Sequence, residues 1–410
     1  MSKGIDNKAV GASLSDNSEQ VIQSQVIDAL RFPLAVAVVF IHSGALGEID
    51  LTALHANPFA LSSLSGFVRI AISNVLARTA VPLFLLISGY LFFRKPVEWS
   101  IGVYKEKLRR RFHTLFIPYI IWITIKIVWT EFVKLRSVIL YDEPLEGLWR
   151  YVTDNGGWRL YYDCVQWPAD NNWFGIEGTM CNAPILFPLW FVRDLMIVMI
   201  CSPLVFWAVK RYKLIPIAVL AACYITGLPL PVHGNSAGSF MWFGLGAYFA
   251  IHGRNMTESL YRKRKLAYTT AIVLVLLATW GIVFEPLGWN FIVLCVIPSS
   301  VAVFCLFYAA IKRGYVRSSK WLASSSFFVF CCHLFMLQWS ARVCSIAFQN
   351  KMIETFVGKD ILLLARYFAQ PLLAVAMCLA LYWLLEHTMP RLLGVLTGGR
   401  QAAKSGRNGA

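Results

Sequence analysis

The chain has 410 residues, of which 58% are hydrophobic and 15% charged, and its mean hydropathy is +0.59. Those proportions exclude an ordinary soluble domain. The formal charge of +16 would suit a nucleic-acid binder, but the basic residues fall in alternate loops between apolar runs, which is the pattern of a polytopic membrane protein with no nucleic-acid partner.

Residues 1–27 are polar and lack the apolar centre of a signal peptide, so they read as a disordered cytoplasmic tail. Apolar runs near 28–45, 66–93, 114–133, 188–209, 214–231, 237–252, 266–285, 288–311, 321–341 and 361–387 approach the roughly 20 residues that cross a bilayer. The expected fold is an all-α bundle of about ten transmembrane helices spanning 28–390. A flexible basic tail over 391–410 is expected to follow. Basic clusters fall between Arg94 and Arg111, Lys210 and Lys213, Arg254 and Lys265, and Lys312 and Lys320, and again beyond Arg391. The positive-inside rule makes these clusters cytoplasmic, with both termini inside and the loop 134–187 outside the plasma membrane. Eight of the ten cysteines lie in or beside apolar runs, where a thiol acts as a small hydrophobe. Cys164 and Cys181 share the outside loop, where a disulfide and two separate thiols are equally consistent with the sequence. No His/Cys cluster has metal-ligand spacing, so no metal is expected.

The first span carries two polar residues that an apolar helix accommodates at a cost. Arg31 and His42 are eleven positions apart, which at 100° per residue is about 20° beyond three full turns, so they share one face. The rise between them is about 16 Å, which sets Arg31 at the cytoplasmic edge and His42 near mid-depth. Asp28 precedes Arg31 by one turn, and Ala35 and Val38 floor the stripe between the two. An ionisable residue at mid-depth faces a cavity or the protein interior and marks function by default. The structural reading of His42 is a hydrogen bond between helices, and the in-phase arginine favours function.

Further along, Arg78 lies deep in the second span and requires an anionic or carbonyl partner. Arg193 and Asp194 lie near the outer end of the fourth span, where pairing with neighbours and substrate binding are equally open. His333 reaches mid-depth in the ninth span, about 18 Å from its start, as a second site residue or as a helix-packing hydrogen bond. The outside stretch Trp149 to Gly175 interleaves Trp and Tyr with Asp, Asn and Arg. It suits either a sugar platform, in which Trp158, Trp167 and Trp173 would stack on the acceptor, or an interfacial aromatic belt.

IDALRFPLAVAVVFIH resembles the opening helix of acyltransferase family 3, whose hallmark is an arginine, ten residues and a histidine. RTAVPLFLLISGYLFF (Arg78 to Phe93), IPYIIW (Ile117 to Trp122), PLWFVRDL (Pro188 to Leu195), FGLGAYFA (Phe243 to Ala250) and SSFFVFCCHLF (Ser325 to Phe335) are similar to further family motifs, in family order. Many members carry two arginines three apart before the Ile-Pro-Tyr motif, whereas here Arg111 is followed at that spacing by Thr114. The resemblance implies an integral-membrane O-acyltransferase that moves an acetyl or other short acyl group from cytoplasmic acyl-CoA to a hydroxyl of a carbohydrate or lipid-linked sugar. It makes His42 the general base, paired with Arg31 as the catalytic stripe. Arg31, Arg78, Arg110 and Arg111 become candidates for the acetyl-CoA phosphates, and His333, Arg193 and Trp173 candidates for the acceptor. Plain positive-inside topology accounts by itself for the Lys107, Arg109, Arg110 and Arg111 cluster and is the favoured reading of each residue there. A transporter or exporter of a small solute is the alternative, since the same polar cavity would suit a solute pathway.

Overall fold

A computed structural model describes residues 3–43, 51–57, 61–94, 99–141, 153, 156–168, 180–228, 236–284, 288–348 and 359–400. The first six helices are α1 (Lys3–Ser43), α2 (Leu51–Ala56), α3 (Leu61–Arg69), α4 (Ala80–Phe93), α5 (Ile101–Arg111) and α6 (Ile117–Tyr141). After a long connection come α7 (Trp190–Ile200), α8 (Ser202–Tyr212), α9 (Ile215–Thr226), α10 (Ser236–Ile251) and α11 (Met256–Tyr261). The remainder is α12 (Arg264–Phe284), α13 (Gly288–Lys312), α14 (Lys320–Phe348), α15 (Lys359–Thr388) and α16 (Pro390–Thr397). Strands β1 (Val165–Pro168) and β2 (Met180–Ala183) pair antiparallel in the long connection.

Helix length sorts these elements. Among the described residues seven stretches, 19–43, 63–93, 101–141, 264–284, 291–312, 320–348 and 361–388, are long and apolar enough to cross a membrane. The pair α7 and α8 makes an eighth if counted as one span bent by 66°. Pro203 opens α8, and a proline there cannot continue the hydrogen-bond ladder of α7. Helices α9 and α10 have only 12 and 16 residues, short of the roughly 20 that cross a bilayer in one piece. Large apolar side chains such as Ile272, Leu276, Ile346 and Leu372 face outward, a surface suited to lipid rather than water.

Both tails depart from the sequence expectation. Helix α1 starts at Lys3 and runs without a break into the first span, so the segment expected to be a disordered tail over 1–27 is helical from residue 3. Packing explains its last third: Gln23, Val26 and Ile27 are buried, and Glu19 accepts hydrogen bonds from the Tyr308 hydroxyl (3.1 Å) and the Lys312 ammonium (3.0 Å). At the other end, residues 391–400 are not a flexible tail. Leu393, Leu396 and Thr397 are buried, and α16 packs on α6, α14 and α15. Residues 401–410 lie outside the described set.

Two of the motif-like stretches, Arg78 to Phe93 and Phe243 to Ala250, turn out to form one helix crossing. A Cβ on Gly89 would lie 2.0 Å from the Phe243 carbonyl oxygen, and one on Gly246 would lie 2.0 Å from that of Leu86. Only glycine lets α4 and α10 approach so closely, as small residues do at membrane helix interfaces.

The connection between α6 and α7 folds down into the bundle. Tyr119 donates from its hydroxyl to the Tyr161 carbonyl, Ile185 N donates to Leu160 O at 2.8 Å, and Leu160, Leu186 and Leu189 are buried. This descent delivers Phe187 to the side of α1. The β1–β2 register sets Cys181 opposite Trp167, and Cys164 precedes the strand with its thiol directed to the Leu160 carbonyl at 4.0 Å, so the ladder does not align the two cysteines.

Candidate active site

Two cavities lie along α1, one at each end of the Arg31 to His42 stripe. The first, of about 310 Å³, is lined by His42 and Arg78 together with Phe187, Tyr224, Ser239 and Trp242. The second, of about 330 Å³, is lined by Arg31, Arg111 and Arg400 with Ser88, Ser324 and Ser326. Phe330 of α14 lines both and forms a wall they share. Between them Ala35 and Val38 are buried against the bundle, so the stripe read from the sequence faces inward along its length.

His42 is held by rings on two sides. The His333 ring lies 5.3 Å away at 31°, and the Phe187 ring meets it edge-on at 5.5 Å and 86°. His333 Nδ1 is 2.7 Å from the Phe330 carbonyl oxygen. A carbonyl only accepts, so Nδ1 carries the proton and Nε2 is left as an acceptor. His333 is fully buried, and its Nε2 has no hydrogen-bond partner among the described residues. It backs His42 from behind rather than lining the cavity. Phe330 therefore orients His333 through its backbone and divides the two cavities with its side chain.

At the other end Arg31 NH1 donates to Asp28 Oδ1 at 2.9 Å. Arg111 closes α5, and Arg400 follows α16 with its guanidinium 4.2 Å from the centre of the Phe327 ring. Among the described residues no carboxylate lines this cavity. Such a space favours an anion, because guanidinium forks match phosphate oxygens in pairs.

The candidates named from sequence separate into three groups. His42, Arg78, Arg31 and Arg111 line the two cavities, and the His333 ring packs at a tilt against His42. Arg110 does not join them; it is exposed and pairs with Glu106 one turn back. Lys107 donates to the Phe92 carbonyl and lies over the Phe92 ring, a structural contact. Arg193 lines neither cavity. It is buried and donates to Asp194 Oδ1 (2.8 Å), Asn182 Oδ1 (2.7 Å), Asn182 O (3.0 Å) and the Tyr162 carbonyl. The guanidinium thus fastens β2 and the descending connection to α7, and five hydrogen bonds to four neighbouring acceptors leave it little capacity for an acceptor sugar. Asp194 carries the link onward, since its Oδ2 accepts from Ser239 at 3.4 Å and Ser239 lines the His42 cavity. Trp173 and the side chain of Trp167 lie outside the described set, and Trp158 is exposed.

Sequence reading missed Phe330, Phe187, Ser239, Trp242 and Arg400. Phe330 stands three residues before His333 inside a quoted motif, a spacing that places both on one helix face. Arg400 gave no signal beyond its charge.

A helical membrane bundle that holds an imidazole in one chamber and clustered guanidiniums in the adjoining one is a membrane protein with an internal two-chamber site. The comparisons supply its class. An acyltransferase domain matches residues 25–387, and the chain belongs to acyltransferase family 3; it is a multi-pass membrane acyltransferase. It is 25% identical over 392 residues to the succinoglycan biosynthesis protein ExoH of Rhizobium meliloti (strain 1021), covering 92% of this chain and 93% of that one. No solved structure matches it.

Proposed function

We propose that the protein transfers an acetyl or other short acyl group from cytoplasmic acyl-CoA to a hydroxyl of a carbohydrate or lipid-linked glycan, with His42 as general base. The observation that carries this reading is the pairing of cavities on one helix, with arginines around one and His42 in the other, and a single shared wall at Phe330. In this reading both termini and the basic loops face the cytoplasm of a plasma-membrane protein. The donor's phosphates then sit at Arg31 and Arg111, and its thioester lies beside His42.

The chemistry follows from those positions. The acceptor hydroxyl loses its proton to the free imidazole nitrogen of His42 as its oxygen attacks the thioester carbonyl. The Arg78 guanidinium lines the same cavity and suits the oxyanion that forms there. When that intermediate collapses, the carbon–sulfur bond breaks, and the imidazolium returns the proton to the departing thiolate. Products are an ester and free CoA. His333 serves as a positioning residue, fixing the His42 ring by its tilted ring contact. Phe187, Tyr224 and Trp242 give the chamber flat apolar faces that suit a sugar ring. The relative's name links it to succinoglycan biosynthesis, which favours a polysaccharide acceptor here as well.

The test uses purified protein in detergent with acetyl-CoA and a hydroxyl-bearing oligosaccharide. Release of free thiol that requires the acceptor, together with an esterified product by mass spectrometry, is the expected result. Solute movement across proteoliposomes with no thiol release would establish the transporter instead.

A further inference from the structure

Helix α15 ends at Thr388, and Pro390 opens an eight-residue helix that turns back into the bundle. Specific contacts hold it. Leu393 and Leu396 are buried, and Trp122 Nε1 donates to the Leu396 carbonyl at 3.0 Å. Gly398 has φ +62° and lies so close to the junction between α5 and α6 that a Cβ would come within 2.3 Å of the Thr114 carbonyl oxygen. Glycine alone combines that backbone conformation with that approach. Gly399 follows at φ +76°, and the two left-handed residues aim the chain at the arginine cavity. Arg400 then stacks on Phe327 and donates to the Thr397 carbonyl at 3.4 Å.

Three guanidiniums, from α1, α5 and the turn after α16, thereby line one space of about 330 Å³. Asp28 engages Arg31, and among the described residues no carboxylate lines the wall beside Arg111 and Arg400. Burial, then the neighbouring Arg111 and Arg31, push the Arg400 guanidinium down to about 10. It is still charged at neutral pH, and a bound polyanion would relieve the repulsion.

We propose that Pro390–Arg400 is a C-terminal strap that completes the donor site, with Arg400 joining Arg31 and Arg111 on the diphosphate of acyl-CoA. This inference rests on the acyl-CoA reading given above. The diphosphate is assigned, rather than the 3′-phosphate, because the rise of about 16 Å from Arg31 to His42 is comparable with an extended pantetheine arm. A thioester at His42 thus brings the diphosphate to the arginines. The loss of a charge-assisted phosphate contact weakens binding about 10- to 100-fold.

Calorimetric titration of CoA, dephospho-CoA and pantetheine into the full-length protein tests it. Arg400→Gln should weaken CoA and dephospho-CoA by the same factor, about 10- to 100-fold, and leave pantetheine unchanged, while Arg400→Lys recovers part of the loss. Truncation after Arg400 should keep full affinity, and truncation after Thr397, which leaves α16 intact, should lose as much as Arg400→Gln. That pair keeps the question decidable if the point variant folds poorly. Wild-type affinity in Arg400→Gln, or a loss confined to CoA with dephospho-CoA unaffected, would overturn the proposal. Absence of CoA binding by the wild-type protein would instead remove the acyl-CoA reading on which it stands.

Discussion

The two cavities along α1 are nearly equal in size, about 330 and 310 Å³, yet their walls differ in kind. The Arg31 cavity gathers three cations from distant parts of the chain, whereas the His42 cavity sets an imidazole and one guanidinium among aromatic rings. On the proposed reading, the difference teaches how one apolar helix could serve two physical purposes. Electrostatic capture tolerates water and needs charge, while proton transfer needs a neutral imidazole in a sheltered place. Eleven residues of helix keep the two environments apart while holding them in register.

The largest expected effect removes both cavities together. Gly246→Val would drive a side chain into the Leu86 carbonyl and separate α4 from α10, so folded, monodisperse protein should be lost on size-exclusion chromatography. A normally folded variant would show that the crossing does not set the bundle. Next comes His42→Ala, for which acyl transfer should fall by about 100-fold or more while CoA affinity by calorimetry stays within about twofold. A fully active variant would remove the proposed base.

Arg31→Ala and Arg111→Ala should act in the opposite sense, weakening CoA binding by roughly 10- to 150-fold with kcat at saturating donor little changed. Equal losses of binding in His42→Ala and Arg31→Ala would erase the division between the cavities. His333→Gln should lower kcat by about 10-fold at unchanged donor affinity, because it loosens the ring behind His42 without touching the anion site; an unchanged kcat would make the tilted ring pair a packing contact. The smallest effect belongs to Arg110→Ala. Its side chain is exposed and paired within α5, so donor affinity and turnover should both stay within about twofold, and a larger loss would relocate the phosphate site to the outer face of α5. Orientation is checked separately: cysteines at the exposed positions Lys210 and Lys263 should resist an impermeant reagent applied from outside, and one at Trp158 should react. Labelling at Lys263 would invert the bundle and with it the cytoplasmic donor.

Where sequence reading succeeded, the information was local. The apolar runs fall on helices, since hydropathy and helical period are properties of a few turns. Number of spans was harder to read, because composition does not distinguish a full crossing from α9 and α10, which are apolar but short, or from α7 and α8, which break at Pro203. The tails were misread for a related reason. Polar, basic segments look solvated, yet Glu19 finds Tyr308 and Lys312, and Leu396 finds Trp122, partners hundreds of residues away. Arg193 shows the same limit from the other side: beside Asp194 it left pairing and substrate binding equally open, and its hydrogen bonds to Asp194, Asn182 and Tyr162 give it a structural task.

The sequence by itself determined a membrane-embedded helical chain and the shared face of Arg31 and His42, because eleven residues of α-helix return to nearly the same direction whatever surrounds them. The tertiary structure alone decided which groups meet that face. Phe187 descends from a connection, Phe330 and His333 arrive on α14, and Arg400 is carried in by two left-handed glycines. These meetings depend on helix crossings and chain reversals far apart in sequence, and no periodicity in the neighbourhood of any one residue encodes them.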